Sequence, residues 1–293
     1  MERFRNSEQF KAFIKKEARR LEISIPSAYS TFISRTFLEK LAKKDPTRSI
    51  LVKGSSAETA YLGDLVRGIT DVDLASVKSI NANINVLKKL VDNEDINGIN
   101  IKLNKKPTTT DTGIYKFNFD ANMGQVKNNL KVDFQDNYGR LIEKEEHVMP
   151  TIFEGDKPFI IATPSFEEYL AEKLCIILEN NKMDVLNTRL KDFYDIYELH
   201  GGKYDVEKLT EYFRLMLGLR AKIRLEDAKT DYLNKKFIED HQEIWNNVCK
   251  KYDFLDKEID LGGAVYYTRA VLREYLQKNG VSPQDTVPKK YCK

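Results

Sequence analysis

The spacing of apolar residues changes twice along the chain, and these changes constrain the fold more than any other feature. Up to about residue 48 they recur every three or four positions, as in amphipathic helices. Short β-branched runs typical of strands follow, at residues 49–53, 69–75, 99–103, 114–119, 126–134 and 157–162. After Thr163-Pro164 the helical period returns. The predicted order is two helices, a sheet and a set of helices, which is an α+β fold.

Pro164 marks the predicted domain boundary, with one domain at residues 1–164 and a helical domain at residues 165–293. The first helix is expected at residues 7–22 with Ser7 as its N-cap, and the second between Pro26 and Asp45. Further helices are expected around residues 56–62, 84–91, 166–178, 190–199, 206–219, 234–252 and 264–278.

Composition excludes several classes of protein. The chain has 293 residues, and 41% hydrophobic content supplies a packed core. No stretch approaches the roughly 20 apolar residues of a membrane span, and the charged start does not resemble a signal peptide. We therefore expect no membrane association and a cytoplasmic location. The three cysteines show no CxxC spacing and the three histidines no ligand-like spacing, so a zinc site is not predicted.

Two aspartates two positions apart carry the strongest chemical signal. Asp71 and Asp73 lie in a predicted strand, where alternate side chains share a face. Two adjacent carboxylates repel unless a cation neutralises them. Mg²⁺ takes one or two carboxylates together with substrate phosphates. The pair therefore suits a site for a nucleoside triphosphate, in which Mn²⁺ would accept similar oxygen ligands.

Two further segments have the residue types for such a site. Gly54-Ser55 joins a strand to a helix, where backbone N–H groups and a hydroxyl can meet phosphates. Asp133 is a carboxylate in a segment otherwise suited to a sheet interior. Each of these features also has an ordinary structural explanation. In that interpretation Gly-Ser is a common turn, Asp-x-Asp occurs by chance on an exposed strand, and Asp133 lies at a solvated strand end.

A second group of charges lies in the helical half. Asp192 and Asp195, three residues apart, share one face of a predicted helix. Lys173 on the preceding helix can reach a triphosphate as a point charge, and Arg189 can bind one bidentately. Without further information, an ion pair that holds two helices together is the simpler interpretation.

The order of these motifs resembles the DNA polymerase β-type nucleotidyltransferase superfamily. Fifteen residues separate Ser55 from Asp71, and Arg67 stands shortly before Thr70-Asp71. This interval, the Glu172-Lys173 pair and the segment at residues 189–196 are similar to the AbiEii/AbiGii toxin branch, which is related to MenT-type toxins. The resemblance covers roughly residues 53–199. It implies a polymerase β-like domain with a mixed sheet, followed by a C-terminal helical domain.

The resemblance also implies roles in the first domain. Asp71, Asp73 and Asp133 would bind the metal ions and act in catalysis. Gly54 and Ser55 would bind the phosphates of the nucleotide, and the charge of Arg67 would offset theirs.

In the second domain, the resemblance makes Lys173 both a nucleotide-binding and a catalytic residue and assigns Arg189 to the nucleotide. Asp192 or Asp195 would be catalytic or orienting, and the spacing does not choose between them.

The implied biology is that of a growth-arresting toxin of a type IV toxin-antitoxin or abortive phage infection system. Such an enzyme would transfer NMP from an NTP to an acceptor, for which the tRNA 3′ end is expected, and a separately encoded antitoxin would be its partner. Basic residues that could face RNA, or only solvent, are Arg214, Arg220, Lys222 and Arg224. The alternatives are a nucleotidyltransferase for a small molecule such as an aminoglycoside, and a non-catalytic module that binds nucleotide or RNA.

Overall fold

A computed structural model describes residues 3–76, 86–87, 98–111, 113–135, 143–182, 189–219 and 222–281. Within it the chain divides into two compact units, Met1–Pro164 and Ser165–Lys293. The helix expected at residues 84–91 falls, apart from residues 86–87, outside the described residues, and so does Arg220.

Among the described residues of the first unit, three full helices precede or interrupt the sheet: α1 (Ser7–Arg20), α2 (Ile25–Lys44) and α3 (Gly54–Leu62). The predicted N-cap Ser7 is wrong by one residue. The Asn6 side chain accepts a hydrogen bond from the Gln9 backbone N–H and caps α1 instead. Asn and Ser are almost equally good caps, so their order in the chain does not decide between them.

Eight described strands form one sheet. They are β1 (Ile50–Lys53), β2 (Val72–Ser76), β3 (Asn100–Leu103), β4 (Thr108–Thr109), β5 (Ile114–Met123), β6 (Val126–Gln135), β7 (Lys144–Met149) and β8 (Phe159–Pro164). The strand order is β3-β5-β6-β2-β1-β8-β7, and β4 pairs with β5. The pairs β1–β8 and β2–β6 are parallel and the others antiparallel, which makes the sheet mixed.

The long hairpin of β5 and β6 shows how the sheet covers the core. Alternate residues on one face are buried, namely Phe117, Phe119, Ala121, Leu130, Val132 and Phe134. Helix α2 packs against β6 and β8, so the apolar face of the sheet is covered by a helix with twelve buried residues. The opposite face of the hairpin is polar, as is usual for an antiparallel sheet with one solvated side.

The described elements of the second unit are helices joined by turns and irregular segments. Its elements are α4 (Phe166–Lys182), α5 (Leu190–His200), α6 (Val206–Leu219), a 3₁₀ turn (Leu225–Asp227), α7 (Lys235–Tyr252) and α8 (Leu261–Lys278). Helix α5 is central, since it contacts α4, α7 and α8. In the part of the chain that the structure describes, every helix is too short or too polar to cross a membrane.

Candidate active site

The Asp-x-Asp motif lies where β2 begins. Asp71 immediately precedes the strand and accepts a hydrogen bond from the Thr70 hydroxyl at 3.2 Å. Asp73 is the second residue of β2, and both aspartates are partly exposed. Val72 between them is fully buried in the core. Because successive residues of a strand face opposite sides, the Asp73 carboxylate lies on the face away from Val72.

Strand register brings Asp133 beside Asp73. The two residues pair directly across the parallel strands β2 and β6. Lys53 pairs with Asp73 across β1 and β2, and Lys116 pairs with Asp133 across β5 and β6. Directly paired residues point to the same face, and neighbouring strands lie about 4.8 Å apart. We call these four residues, in the order Lys53, Asp73, Asp133 and Lys116, the charged row.

The ionisation of Asp133 is shaped by its surroundings. Burial raises the pKa of Asp133 above its ordinary value, and the positive charge of Lys116 opposes this rise. The negative charge of Asp71 raises the pKa further, whereas Lys131 lowers it. The carboxylates of the site are thus near enough to disfavour each other's charge, which a bound cation would relieve.

Gly54 lies against the carboxylate of Asp73. It has φ +60°, in the left-handed region that favours glycine, and it is the first residue of α3. A Cβ at this position would overlap Asp73 Oδ2 and lie 3.1 Å from Asp73 Cγ. Ser55 follows and is buried. The start of α3, where free backbone N–H groups favour anions, therefore lies against Asp73.

Two lysines of the charged row were missed in the sequence. Lys53 is the last residue of β1 and is only 8% exposed, and Lys116 is exposed. Each lies beside a carboxylate only because of the strand register, which the linear sequence does not reveal. The strand-end position of Lys53 directly before Gly54 was the one available signal.

The structure places Arg67 in a buried ion pair. Its guanidinium lies 3.2 Å from Glu58 Oε2 on α3, and both side chains are at most 2% exposed. Its predicted contact with nucleotide phosphates stays a prediction. The ion pair fastens the segment before Asp71 to α3, the helix that begins at Gly54.

The acidic residues fit Mg²⁺ in a particular way. Among the described residues, no three His, Cys, Asp or Glu side chains form a ready-made metal cluster. Asp73 and Asp133, side by side on β2 and β6, nevertheless supply the one or two carboxylates that Mg²⁺ uses when substrate phosphates complete its shell. These two carboxylates therefore suit a Mg²⁺ ion that is also bound by the triphosphate.

A closed charge cluster occupies the second unit. Lys173 on α4 donates hydrogen bonds to Asp192 Oδ1 at 2.8 Å and to Asp195 Oδ2 at 2.6 Å, both on α5. All three side chains are at most 9% exposed. Asp192 Oδ2 is buried without a hydrogen bond, and Arg189 Nη1 lies 3.8 Å from it. The geometry is that of an ion-paired cluster joining two helices, and the nucleotide and catalytic roles of its members stay predictions.

The basic residues for which the sequence leaves RNA or solvent open are exposed where they are described. These are Arg214, Lys222 and Arg224. Arg224 forms ion pairs with Asp227 at 2.8 Å and with Glu226 at 3.5 Å. Its charge is therefore locally neutralised, which weakens the case for this segment as an RNA-binding surface.

Comparison with known proteins identifies the family. The profile of the family described as "Nucleotidyl transferase AbiEii toxin, Type IV TA system" matches residues 36–273. Among curated proteins there is no match to this chain.

Solved structures with a similar fold include one from Mycobacterium tuberculosis and one from Helicobacter pylori. MenT4, a nucleotidyltransferase toxin from Mycobacterium tuberculosis, is 14% identical with a TM-score of 0.55, and the match covers 92% of this chain and 98% of that one. JHP933 from Helicobacter pylori is 19% identical with a TM-score of 0.50, over 85% of this chain and 94% of that one. At these identities the likeness concerns the fold alone, and it supports the α+β fold predicted from the sequence.

Proposed function

Because the chain belongs to the AbiEii nucleotidyltransferase toxin family of type IV toxin-antitoxin systems, we propose that it transfers NMP from an NTP to the 3′ end of tRNA. The reaction would require Mg²⁺ and release pyrophosphate. Modification of the acceptor end would block the use of the tRNA and arrest growth. Membership of this family implies an antitoxin as the partner.

The observation that supports this proposal best is the pairing of Asp73 with Asp133 next to Gly54. Carboxylates and a helix start lie together at one position of the sheet. Phosphoryl transfer needs positioning and charge neutralisation more than covalent chemistry, so this combination suits it.

The position of each group suggests its role. Gly54 and Ser55 at the start of α3 would bind the terminal phosphates through backbone N–H groups. Asp73 lies between the start of α3 and Asp133, so its carboxylate would stand between the bound triphosphate and the acceptor hydroxyl. Asp133, with its raised pKa, lies farthest from Gly54 and would face the acceptor hydroxyl, whose proton it could accept. Bound Mg²⁺ would neutralise the phosphates and lower the pKa of the attacking hydroxyl.

The test is an incubation of the protein with each radiolabelled NTP and either total tRNA or an aminoglycoside, with Mg²⁺ or with EDTA. We expect label in the tRNA only with the metal, and its loss in Asp73→Asn. Metal-independent labelling would contradict the proposed site. Label on an aminoglycoside but not on RNA would identify a small-molecule transferase, and calorimetric NTP binding without any transfer would identify a non-catalytic module.

A further inference from the structure

The polar face of the β3-β5-β6 part of the sheet carries an unusual charge pattern. Its residues alternate with the buried apolar positions of the same strands. Four of them are exposed lysines, and we call this surface the lysine face: Lys102, Lys116, Lys127 and Lys131. Asparagines occupy the positions between the lysines, at Asn118, Asn122 and Asn129.

Register shows that these side chains lie on one surface. Lys116 pairs with Asp133, and Lys131 with Asn118. Lys127 pairs with Asn122, two rows beyond Lys131. Lys102 on β3 pairs with Asp120 on β5, and the side chains of Asp120 and Lys116 point to the same face of the sheet. The four lysines therefore point to one side of three neighbouring strands.

The lysines of this face outnumber its carboxylates by four to two. Across the described ranges, no carboxylate forms a salt bridge with any of the four, in contrast to Lys11, Lys43 and Arg224, which all have acidic partners. The carboxylates on the face are Asp120, which accepts a hydrogen bond from Asn104 at 2.6 Å, and Asp133 of the candidate site. With four lysines, two aspartates and several amide groups, the face carries a net positive charge, which is complementary to a polyanion.

The lysine face continues directly from the candidate active site. Lys116 is the outer member of the charged row, next to Asp133. Lys127 lies six residues before Asp133 on β6, or about 20 Å at 3.4 Å per residue. The phosphate-binding start of α3 lies at the opposite end of the row, beyond Asp73. A polyanion on this face would thus approach Asp133 from the side away from the triphosphate.

We propose that the lysine face binds the acceptor RNA and leads its 3′ end to Asp133. This inference rests on the proposed function, which it deepens by naming the surface that recognises the acceptor. The lysines would contact backbone phosphates, and the asparagine amides would contact sugar and base edges. It places acceptor recognition on the sheet, and not on the residues around Arg224.

The test compares three double variants. The near pair is Lys116→Gln/Lys131→Gln, and the far pair is Lys102→Gln/Lys127→Gln. The control is Lys15→Gln/Lys157→Gln, which removes two exposed lysines elsewhere in the first unit. The Kd for a tRNA pool is measured by fluorescence anisotropy at several salt concentrations, together with the Kd for NTP by calorimetry and the KM for tRNA.

We expect each lysine-face variant to weaken tRNA binding about tenfold and to reduce the salt slope by about 1 to 2, since each lost phosphate contact removes about 0.7 to 0.9. For the far pair, which lies outside the charged row, the Kd for NTP should stay within about twofold of the unmodified protein. The far pair gives the clearer result, because Lys116 also affects Asp133. A three-nucleotide RNA, which spans about 10 Å at 3.4 Å per nucleotide, should respond to the near pair only.

The outcomes separate this inference from the proposed function. If the unmodified protein labels tRNA and both lysine-face variants match the control in Kd and salt slope, the inference is wrong and the proposed function stands. If the unmodified protein neither binds nor labels RNA, the proposed RNA acceptor fails and the inference fails with it.

Discussion

The two acidic clusters of this protein use the same residue type in opposite ways. In the first unit, Asp73 and Asp133 stand side by side, partly exposed, and Asp71 helps to raise the pKa of Asp133. In the second unit, Asp192 and Asp195 are buried and share one ammonium group. The first cluster holds like charges together where a ligand can reach them. The second is largely satisfied by the protein itself.

This difference has an energetic meaning. The repulsion between two neighbouring carboxylates in a partly exposed site lowers the free energy of unfolding. A bound cation removes this repulsion, and such arrangements are typical of functional sites. A buried ion pair costs desolvation and becomes strongly destabilising only when one partner is removed. The first cluster should therefore respond to substitution in activity, and the second in stability.

The largest expected effect is on catalysis, at Asp73. Asp73→Asn keeps the shape of the side chain and removes one candidate metal ligand. We expect transfer to fall roughly a thousandfold or more, equivalent to about 4 kcal/mol of transition-state stabilisation. The melting temperature without metal should change by less than about 3 °C, because a partly exposed site contributes little to stability. Labelled-NTP transfer and thermal unfolding measure the two effects.

Asp111→Asn is the matched control, since Asp111 is an exposed carboxylate of the same unit outside the charged row. It should leave both quantities unchanged. Near-normal transfer by a folded Asp73→Asn protein would remove this carboxylate from the mechanism.

The second prediction concerns stability, at Lys173. Lys173→Met leaves Asp192 and Asp195 buried without their ammonium donor. Breaking a buried pair in this way should lower the free energy of unfolding by about 3–5 kcal/mol. Chemical denaturation of the nucleotide-free protein measures it.

Adding Asp192→Asn and Asp195→Asn to Lys173→Met should restore a large part of the loss, because the uncompensated charges disappear. A Lys173→Met protein of normal stability that no longer transfers nucleotide would break the comparison. It would show that the ammonium group serves the substrate and not the fold.

Much of this architecture could be predicted from periodicity. The long β5–β6 hairpin and the helices α2 and α7 were predicted to within a few residues. Strand β7 was missed, because Lys144-Glu145-Glu146-His147 has no apolar alternation. It lies at the sheet edge, where charged residues prevent unwanted strand pairing.

The site was predictable in its residue types and not in its contacts. The Asp-x-Asp spacing indicated one carboxylate pair within a strand. The structure pairs Asp73 with Asp133 across strands and places Asp71 before the strand begins. The positions of Lys53 and Lys116 follow from β-strand register, which joins segments far apart in the chain.

The third prediction separates backbone strain from contact at the active site. Gly54 and Gly63 both have positive φ, at +60° and +72°, at the two ends of α3. A Cβ at Gly63 has no neighbour within 4 Å, whereas one at Gly54 would displace the Asp73 carboxylate. Each Gly→Ala change should cost about 1–2 kcal/mol of stability through its backbone conformation. Only Gly54→Ala should also reduce transfer, by tenfold or more, in kinetics at saturating NTP.

Equal activity of the Gly54→Ala and Gly63→Ala proteins would show that the contact with Asp73 has no functional consequence. A larger loss of stability at Gly54 than at Gly63 would measure the steric overlap beyond the shared backbone cost.

The smallest expected effect is on the ionisation of Asp133, and it tests whether the first cluster stores repulsion. Burial and Asp71 raise the pKa of this group, and Lys116 lowers it. A carboxyl with a raised folded-state pKa binds its proton more tightly in the folded protein, so its contribution favours folding at low pH and is lost as pH rises through that pKa. By NMR titration without metal, Asp71→Asn should lower the pKa of Asp133 and Lys116→Gln should raise it. Lys102→Gln, on the same face but beside Asp120, should leave it unchanged. If Asp71→Asn leaves the pKa of Asp133 where it was, the two carboxylates do not interact, and the contrast between an open repulsive cluster and a closed neutralised one no longer holds.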